Sequence, residues 1–212
     1  KNKGGEQMRK KKKKIKKIAE KSEGIVTTKQ IEDSGINRTS IKSCLEEGIL
    51  VRESHGVYSL ADNIIDDYKL IQMRSKKLVF SYGTALYLHG MSERVPHIID
   101  ITVPQGYNVT RIKKDYPSIR FHYVKKDIWE LGISDIISPM GAHLTLYDKE
   151  RCICDLIKNR QEVDMQLYTQ AVKEYFEHNS NIRKLLKYGK ILRIEYKIRK
   201  YIEIITYENF DC

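Results

Sequence analysis

Residues 25–62 decide the fold of the N-terminal part of the chain, and they read IVTTKQIEDSGINRTSIKSCLEEGILVRESHGVYSLAD. The pattern predicts a short helix, a tight turn, a second helix and a β-hairpin, the layout of a winged helix-turn-helix. Thr28 is expected to cap the first helix, Gly35 to take the left-handed conformation in the turn, and Asn37 to cap the second helix. Gly48 then ends the second helix, and residues 49–52 and 57–60 form the two strands.

The second predicted helix has two faces of different polarity. Ile41, Cys44 and Leu45 lie three and four residues apart and are expected to face the core. The opposite face carries side chains that can reach phosphates or base edges in a major groove: Arg38, Thr39, Lys42 and Ser43. A helical hairpin that only mediates protein contacts is the alternative. The polar face, the hairpin and the basic segment upstream favour DNA.

That basic segment spans residues 9–21 and holds nine basic residues and one acid. Ile15, Ile18 and Ala19 are expected to pack a first helix against the other two, and the lysines before them to form a disordered or partly helical arm. Such an arm gains affinity for DNA by releasing counterions. The alternative is a solubilising or RNA-binding tail. Residues 1–7 precede Met8, so the domain is expected to begin at Met8.

The predicted DNA-binding residues are basic or polar positions of the arm, the two helices and the hairpin. They are Lys10, Lys12, Lys13, Lys16, Lys17, Thr28, Lys29, Gln30, Asn37, Arg38, Thr39, Ser40, Lys42, Ser43, Arg52 and His55.

Composition agrees with a polyanionic partner. The chain of 212 residues has a formal charge of +11, which indicates nucleic acid or an anionic membrane surface. It has no run of about 18 apolar residues that could span a membrane, and no secretion signal, so a cytoplasmic location is expected. Cys152 and Cys154 lack the spacing of a zinc site, and the other two cysteines, Cys44 and Cys212, lie far away. We therefore expect reduced thiols, and neither metal nor cofactor.

The sequence predicts two domains, residues 8–65 and residues 70–212, joined near residues 62–75. Helical spacing follows Leu78. Residues 97–104 and 119–124 are predicted strands, and residues 136–137 and 143–147 are weaker ones. From Asp148 onward the pattern is helical. The predicted fold class is α+β: an N-terminal winged helix-turn-helix, then a mixed α/β domain with a small sheet and a helical C-terminal end.

An enzyme is the interpretation to test against this one. Residues 81–86 with Asp100 faintly resemble a nucleotidyltransferase core. That chemistry needs two carboxylates two residues apart on one strand, to hold Mg²⁺. Thr102 occupies the second place, so Asp100 is interpreted as the partner of a basic group. Asp148 to Arg151 is interpreted as a helix start with a surface salt bridge.

The order of these motifs resembles one known family. The helix-turn-helix, then SYGTALYLHG (81–90), ITVP (101–104) and YDKERCICDLI (147–157), is similar to the AbiEi antitoxins of AbiE systems. The resemblance covers most of the chain after Met8. It implies a type IV toxin–antitoxin operon of abortive infection, a phage defence, with a neighbouring nucleotidyltransferase-like toxin and no stable complex with it. It also implies repression of the shared promoter at inverted repeats by the N-terminal domain, and antitoxicity in the C-terminal domain.

The C-terminal cations are the exposed feature best suited to antitoxicity. Arg193, Lys197 and Lys200 lie three and four apart, which predicts a shared helix face. A solvated face, a second DNA contact, RNA binding and an acidic partner are the interpretations left open. The predicted antitoxicity surface comprises Arg183, Lys184, Lys187, Arg193, Lys197 and Lys200.

Three functions follow in order of preference. The first is an antitoxin that binds double-stranded operator DNA and represses its own operon. The second is a plain winged-helix regulator whose C-terminal domain senses a ligand or partner. The third is a degenerate nucleotidyltransferase-like enzyme, which Thr102 disfavours. No heptad pattern for dimerisation is visible, so the chain is expected to be a monomer in solution, with two copies meeting on DNA.

Overall fold

The computed structural model describes residues 3–178 and 180–208 and forms two compact units. Residues 1–76 and 137–144 make up the first unit, and residues 77–136 and 145–212 the second. Helices and small sheets occur in both, so the chain is a mixed α/β protein. Cys212 lies outside the described residues.

A lysine-rich helix, α1 (Lys3–Lys21), opens the first unit. Its residues Ile15 and Ala19 are fully buried, as their spacing of four residues predicts. Of the two expectations for the lysines before Ile15, a disordered or a partly helical arm, the disordered one was wrong for the described residues, because the helix continues through them. Two side chains explain this: Lys12 pairs with Glu47, and the Lys14 ammonium donates to the Ser34 carbonyl at 2.7 Å.

The first helix of the predicted pair, α2 (Thr28–Asp33), starts one residue away from the expected cap. Thr27, and not Thr28, is its N-cap. The Thr27 hydroxyl accepts from the Gln30 backbone N–H at 3.2 Å, and the Gln30 side-chain oxygen accepts from the Thr27 N–H at 2.8 Å. This reciprocal pair is a capping box. Thr28 cannot be the cap because it already has helical backbone.

The turn and the second helix, α3 (Arg38–Glu46), follow the sequence closely. Gly35 has φ +79°, the left-handed conformation that a side chain disfavours, and Ile36 is buried after it. Asn37 occupies the predicted N-cap position. Its side-chain oxygen, however, accepts from the Ser40 hydroxyl at 2.8 Å and makes no bond to a backbone N–H of the helix.

The first unit also contains a three-stranded antiparallel sheet. Its strands lie in the order β1 (Ile25–Thr27), β3 (Val57–Leu60) and β2 (Leu50–Ser54). The hairpin β2–β3 is confirmed, with Gly56 at φ +75° in its turn. The sequence did not predict β1, a strand of three residues. The pairing of β1 with β3 places Thr27 at the end of a strand, where it can cap α2.

Two apolar clusters hold the first unit. The larger lies between the helices and the sheet, and its buried members are Ile15, Ala19, Val26, Ile31, Ile36, Ile41, Cys44, Leu50 and Tyr58. The smaller joins Ile25 and Val57 to Leu70 of α4 (Asp67–Gln72). Asp66 caps α4 by accepting from the Tyr68 N–H at 2.8 Å, and it also accepts from the Ser138 hydroxyl. Burial of these side chains supplies the main stabilising free energy.

The second unit contains most of a five-stranded mixed sheet. Its strands are β4 (Val79–Phe80), β5 (Ile99–Pro104), β6 (Ile119–Val124), β7 (Ile133–Ile137) and β8 (His143–Tyr147), in the order β6-β5-β4-β8-β7. β5 and β6 are parallel, with Asp100 opposite Arg120 and Thr102 opposite His122. All four predicted strands are confirmed. The predicted helical spacing from Leu78 was wrong for residues 79–80, which pair as β4.

Seven helices belong to the same unit within the described residues. They are α5 (Tyr82–Leu88), α6 (Thr110–Asp115), α7 (Lys126–Glu130), α8 (Lys149–Lys158), α9 (Met165–Glu177), α10 (Ile182–Ile191) and α11 (Glu195–Glu208). The sequence predicted the C-terminal helices but not α6 or α7, which have six and five residues. No described helix offers an apolar stretch long enough to cross a bilayer.

Helix α8 is the buried centre of the second unit, with every residue from 150 to 157 buried. Asp148 caps it, as predicted, by accepting from the Arg151 N–H at 2.8 Å. The expected surface salt bridge was wrong, because Arg151 is 1% exposed and pairs with buried Asp155 at 2.9 Å. The guanidinium also donates to the Ile128 carbonyl at 2.6 Å. A buried cation with this many partners stabilises the native packing, although desolvation offsets much of the gain.

Candidate nucleic-acid interface

The first unit has a basic groove of about 530 Å³ at the start of α2, along α3 and beside the β2–β3 turn. We call it the first-unit groove. Its described lining includes five basic residues and no carboxylate: Lys29, Arg38, Lys42, Arg52 and Arg74. Six predicted DNA-binding residues line it together, namely Thr28, Lys29, Arg38, Lys42, Arg52 and His55. Thr27, Tyr58 and Arg74 also line it and were missed, since only the fold brings them there.

Arg38 and Lys42 are two strongly exposed cations of this groove. Their side chains are 75% and 78% exposed. Arg38 pairs through Nε with Glu32, whose hydrogen bond raises the pKa of the guanidinium, so it stays charged. Its two Nη nitrogens remain available for a bidentate contact of the kind that reads guanine. Lys42 has only a 3.7 Å pair with Glu46, which is weak in solvent.

Other predicted residues of α2 and α3 are placed differently. Thr39 is exposed and Ser43 half-buried, so both can meet a ligand on α3. Ser40 is fully buried and donates to Asn37, which leaves it unable to touch DNA in this conformation. The Gln30 amide is engaged in the α2 cap and donates to the Ser22 hydroxyl at 3.3 Å. Ser40 and Gln30 therefore have structural roles here.

The α1 lysines divide into two sets. Lys12 is only 15% exposed and pairs with Glu47, so its charge is already neutralised. Lys10, Lys13, Lys16 and Lys17 are exposed, although Lys10 pairs with Glu6 at 3.0 Å. Lys13 and Lys16, with Lys12, line one side of a second groove of about 490 Å³.

The predicted antitoxicity residues do not form one face. Lys184 bridges Asp148 at 3.1 Å and Glu150 at 2.9 Å. Burial lowers the pKa of Lys184, but the bonds to the two carboxylates raise it by more, so that the pKa lies above its ordinary value. The ammonium therefore stays charged and has a structural role. Arg193 lies in the turn between α10 and α11, with φ +60°, so the prediction that it shares a helix face with Lys197 and Lys200 was wrong. Arg183 and Lys187 are exposed on α10.

Lys197 and Lys200 line a groove of about 690 Å³ between residues 157–162 and α11, which we call the C-terminal groove. Lys158, Arg160 and Tyr196 also line it. Sequence periodicity missed Lys158 and Arg160, because residues 157–162 end one helix and form a short 3₁₀ turn. Tyr196 lies on α11, and only the fold brings it to the same groove.

The segment that resembles a nucleotidyltransferase core forms a pocket of about 310 Å³. Asp100 is 2% exposed and accepts from Arg120 Nε at 2.6 Å, from Arg120 Nη2 at 3.1 Å and from His122 Nε2 at 2.8 Å. Asp100 therefore has the basic partners that the sequence interpretation assigned to it. The Thr102 hydroxyl donates to the Ser81 hydroxyl at 2.9 Å instead of supplying a second carboxylate. Within the described residues, no group of three His, Cys, Asp or Glu side chains is placed to hold a metal ion.

Two helices and a β-hairpin that line a basic groove, with no carboxylate in its described lining, are features typical of nucleic-acid-binding regulators. Residues 13–61, which form most of this arrangement, match the family described as "Transcriptional regulator, AbiEi antitoxin". The first unit therefore carries an AbiEi-type regulator segment, and the resemblance inferred from the sequence is confirmed for these residues.

A wider likeness concerns the fold alone. The chain is similar to the crystal structure of the RV2827C protein from Mycobacterium tuberculosis, with a TM-score of 0.53 and 15% identity. The likeness covers 78% of this chain and 66% of that one, so the chain spans about two thirds of its relative's length. A comparison with curated proteins gave no match.

Proposed function

We propose that the chain is an AbiE-type antitoxin that represses its own operon, with a winged helix-turn-helix in residues 8–65 and an antitoxin domain in residues 70–212. In this proposal α3 enters the major groove of an operator repeat, and the β2–β3 hairpin acts as the wing on the flanking phosphates. The exposed α1 lysines add sequence-independent affinity.

The observation that carries the DNA-binding half is the first-unit groove. It gathers six of the side chains that the sequence nominated, its described lining holds five cations and no carboxylate, and Arg38 and Lys42 project from one helix. This concentration of positive charge favours a polyanionic partner over the alternative of a helical hairpin that only mediates protein contacts. The family match over residues 13–61 supports transcriptional regulation by the same segment.

The antitoxin half depends on the family description and on the cations of the second unit. The proposed partner is a nucleotidyltransferase-like toxin encoded nearby, without a stable complex. The alternative is a plain regulator whose second unit senses a ligand. The 310 Å³ pocket supports this alternative, because its volume is just large enough for a ligand site, roughly 300–1,000 Å³. Within that pocket, Arg120 and His122 already engage the Asp100 carboxylate, which disfavours the enzyme.

The decisive measurement is a gel-shift titration of Arg38→Ala and Lys42→Ala against the upstream inverted repeat and a scrambled duplex. Removing a bidentate base contact of Arg38 should cost about 1–3 kcal/mol and reduce the preference for the repeat. Lys42→Ala should weaken both duplexes if it contacts phosphate. Lys113→Ala, an exposed lysine of α6, is the control. Unchanged affinity and preference in both variants would exclude α3 as the reading helix.

A further inference from the structure

We propose that the C-terminal groove binds single-stranded nucleic acid, with cations on the phosphates and an exposed tyrosine under a base. Among the described residues that line the groove are four cations and a single carboxylate, that of Glu162. The cations are Lys158, Arg160, Lys197 and Lys200.

These cations are available to a ligand. None of the four forms an ion pair with a carboxylate in the part of the chain that the structure describes. Arg199, on the same helix but outside the groove, shows the contrast: its guanidinium donates to Glu195 through Nε at 3.1 Å and Nη2 at 2.7 Å. The groove therefore concentrates uncompensated positive charge, which draws in a polyanion.

Arg160 is held in place before any ligand arrives. Its guanidinium carbon lies 4.1 Å from the centre of the Tyr168 ring, and Nη2 lies 2.7 Å from the Met165 sulfur. Tyr168 is itself buried, so the ring that supports the guanidinium is fixed. A side chain that is already ordered loses less conformational entropy on binding, which favours contact with a phosphate.

The aromatic side chains select unpaired bases. Tyr196 lines the groove and is 61% exposed, so its ring is accessible to a ligand. Tyr201 lies further along the groove and packs against Tyr168, with ring centres 6.2 Å apart. Exposed rings between cations are the platform on which proteins stack successive bases of a single strand. An acidic peptide would engage the cations but would leave the Tyr196 ring unused.

The dimensions of the groove favour a single strand over a duplex. At about 690 Å³, it has the volume of a small-molecule site, roughly 300–1,000 Å³, and can admit individual nucleotides. A duplex hides the faces of its bases by stacking and has none to offer Tyr196. RNA and single-stranded DNA share the phosphates and base faces that this site recognises.

The inference rests on the proposed function in two ways: Lys197 and Lys200 belong to the proposed antitoxicity surface, for which it names a partner, and the test uses the proposed duplex binding of the first unit. The binding test needs no toxin. If the wild-type chain failed to neutralise the toxin, the proposed function would be contradicted and the oligonucleotide result would stand.

The test uses the full chain and fluorescein-labelled 8-mers of uridine and thymidine, followed by fluorescence anisotropy. An excess of unlabelled duplex occupies the first unit. Binding should persist, and the logarithm of the association constant should fall with the logarithm of salt concentration with a slope of roughly −0.7 per phosphate, about −2.8 for four contacts. The ratio of the two affinities shows which nucleic acid is preferred.

Matched variants locate the site. Lys197→Ala combined with Lys200→Ala should reduce the slope by about 1.4, at roughly 0.7 per phosphate. Tyr196→Ala should weaken binding about fivefold or more, and Tyr196→Phe, which keeps the ring, should restore it. Arg199→Ala is the control and should leave binding unchanged. Equal melting temperatures ensure that every variant is folded.

Three results would overturn the proposal. One is the absence of binding to either 8-mer once duplex is present. Another is a weakening by Arg199→Ala as large as that by the groove variants, which would indicate general electrostatic attraction. The third is photo-cross-linking of 4-thiouridine 8-mers to residues 1–76 only, with none to residues 157–204.

Discussion

At the scale of single residues, the adjacent Thr27 and Thr28 have different roles, one structural and one at the candidate interface. Thr27 caps α2 with its hydroxyl, whereas Thr28 lies in the first turn of the helix and lines the first-unit groove. Thr27→Ala should therefore lower the free energy of unfolding by about 0.5–2 kcal/mol, because a backbone N–H of the first turn loses its acceptor. Chemical denaturation followed by circular dichroism measures this decrease.

Thr28→Ala is the internal control for that substitution. It should leave the unfolding free energy nearly unchanged and weaken duplex binding. If Thr28→Ala were the more destabilising of the two, the assignment of the cap to Thr27 would be wrong.

His89 makes stability depend on pH. Burial lowers the pKa of His89, and its bond to the Tyr147 carbonyl at 2.8 Å opposes this only in part. The carbonyl can only accept, so Nε2 carries the proton of the neutral ring. The unfolded chain then binds a proton more readily than the folded chain. The stability from neutral His89 is therefore complete above about pH 6.5, the ordinary pKa of histidine, and is lost as the pH falls from there through the lowered pKa of His89 in the folded chain.

The expected result is a fall in melting temperature between pH 7.5 and pH 5.5 that is smaller in His89→Gln, which cannot titrate but can still donate to the carbonyl. His97→Gln, an exposed histidine of the same unit, should retain the wild-type dependence. Identical pH profiles for wild type and His89→Gln would assign the acid sensitivity to other groups.

The burial of individual side chains could be predicted from the sequence in some cases and not in others. The exposure of Arg38 and Lys42 and the burial of Ile41 follow from helical spacing alone. The burial of Ser40 does not, because a small hydroxyl fits either face of a helix. Arg151 was interpreted as a surface residue since charge usually stays in water, but Asp155 one turn later and two backbone carbonyls make its burial possible.

At the scale of elements, helix α1 sets the strength of general DNA binding in our proposal. Lys13, Lys16 and Lys17 are exposed, whereas Lys12 and Lys14 bond to their own unit. Changing the three exposed lysines to Gln should weaken binding to specific and random duplexes alike. The salt slope should fall by roughly 0.9 for each phosphate that the variant no longer neutralises. Titrations at four salt concentrations measure it.

The matched control changes three exposed cations of α6, Arg111, Lys113 and Lys114, to Gln. An equal flattening of the slope in both triple variants would show that total charge matters and the position of α1 does not. An unaltered slope in the α1 variant would leave its lysines in solvent.

The elements also differ in how far the sequence determines them. Long helices and the alternating strand β6 were predicted, because their periodicity extends over six residues or more. The missed elements are β1, β4, α6 and α7, with two to six residues each. In so short a segment periodicity is uninformative, and pairing with distant strands decides the conformation, as Val79 with Thr102 and Phe80 with Ile101 show.

At the scale of the whole molecule, the grouping of residues 137–144 with residues 1–76 is information that only the fold supplies. The first-unit groove was largely foreseeable, since all of its described lining residues except Met73 and Arg74 lie between residues 27 and 58. The C-terminal groove was not, because Lys158 and Arg160 come from one segment and Lys197 and Lys200 from another, with two helices between them.

The proposed repression and antitoxicity should separate by substitution, because the charged residues assigned to each lie in different units. Lys197→Glu with Lys200→Glu should impair growth rescue beside the toxin and spare a promoter reporter, since reversed charge repels a polyanion or an acidic surface. Arg38→Ala with Lys42→Ala should show the opposite pattern. Lys190→Glu, an exposed lysine of α10, is the matched control, and Arg193→Glu tests the turn separately. Full rescue by the Lys197, Lys200 double variant would show that the C-terminal groove is not needed for neutralisation. Rescue by residues 1–76 alone would contradict the assignment of antitoxicity to the second unit.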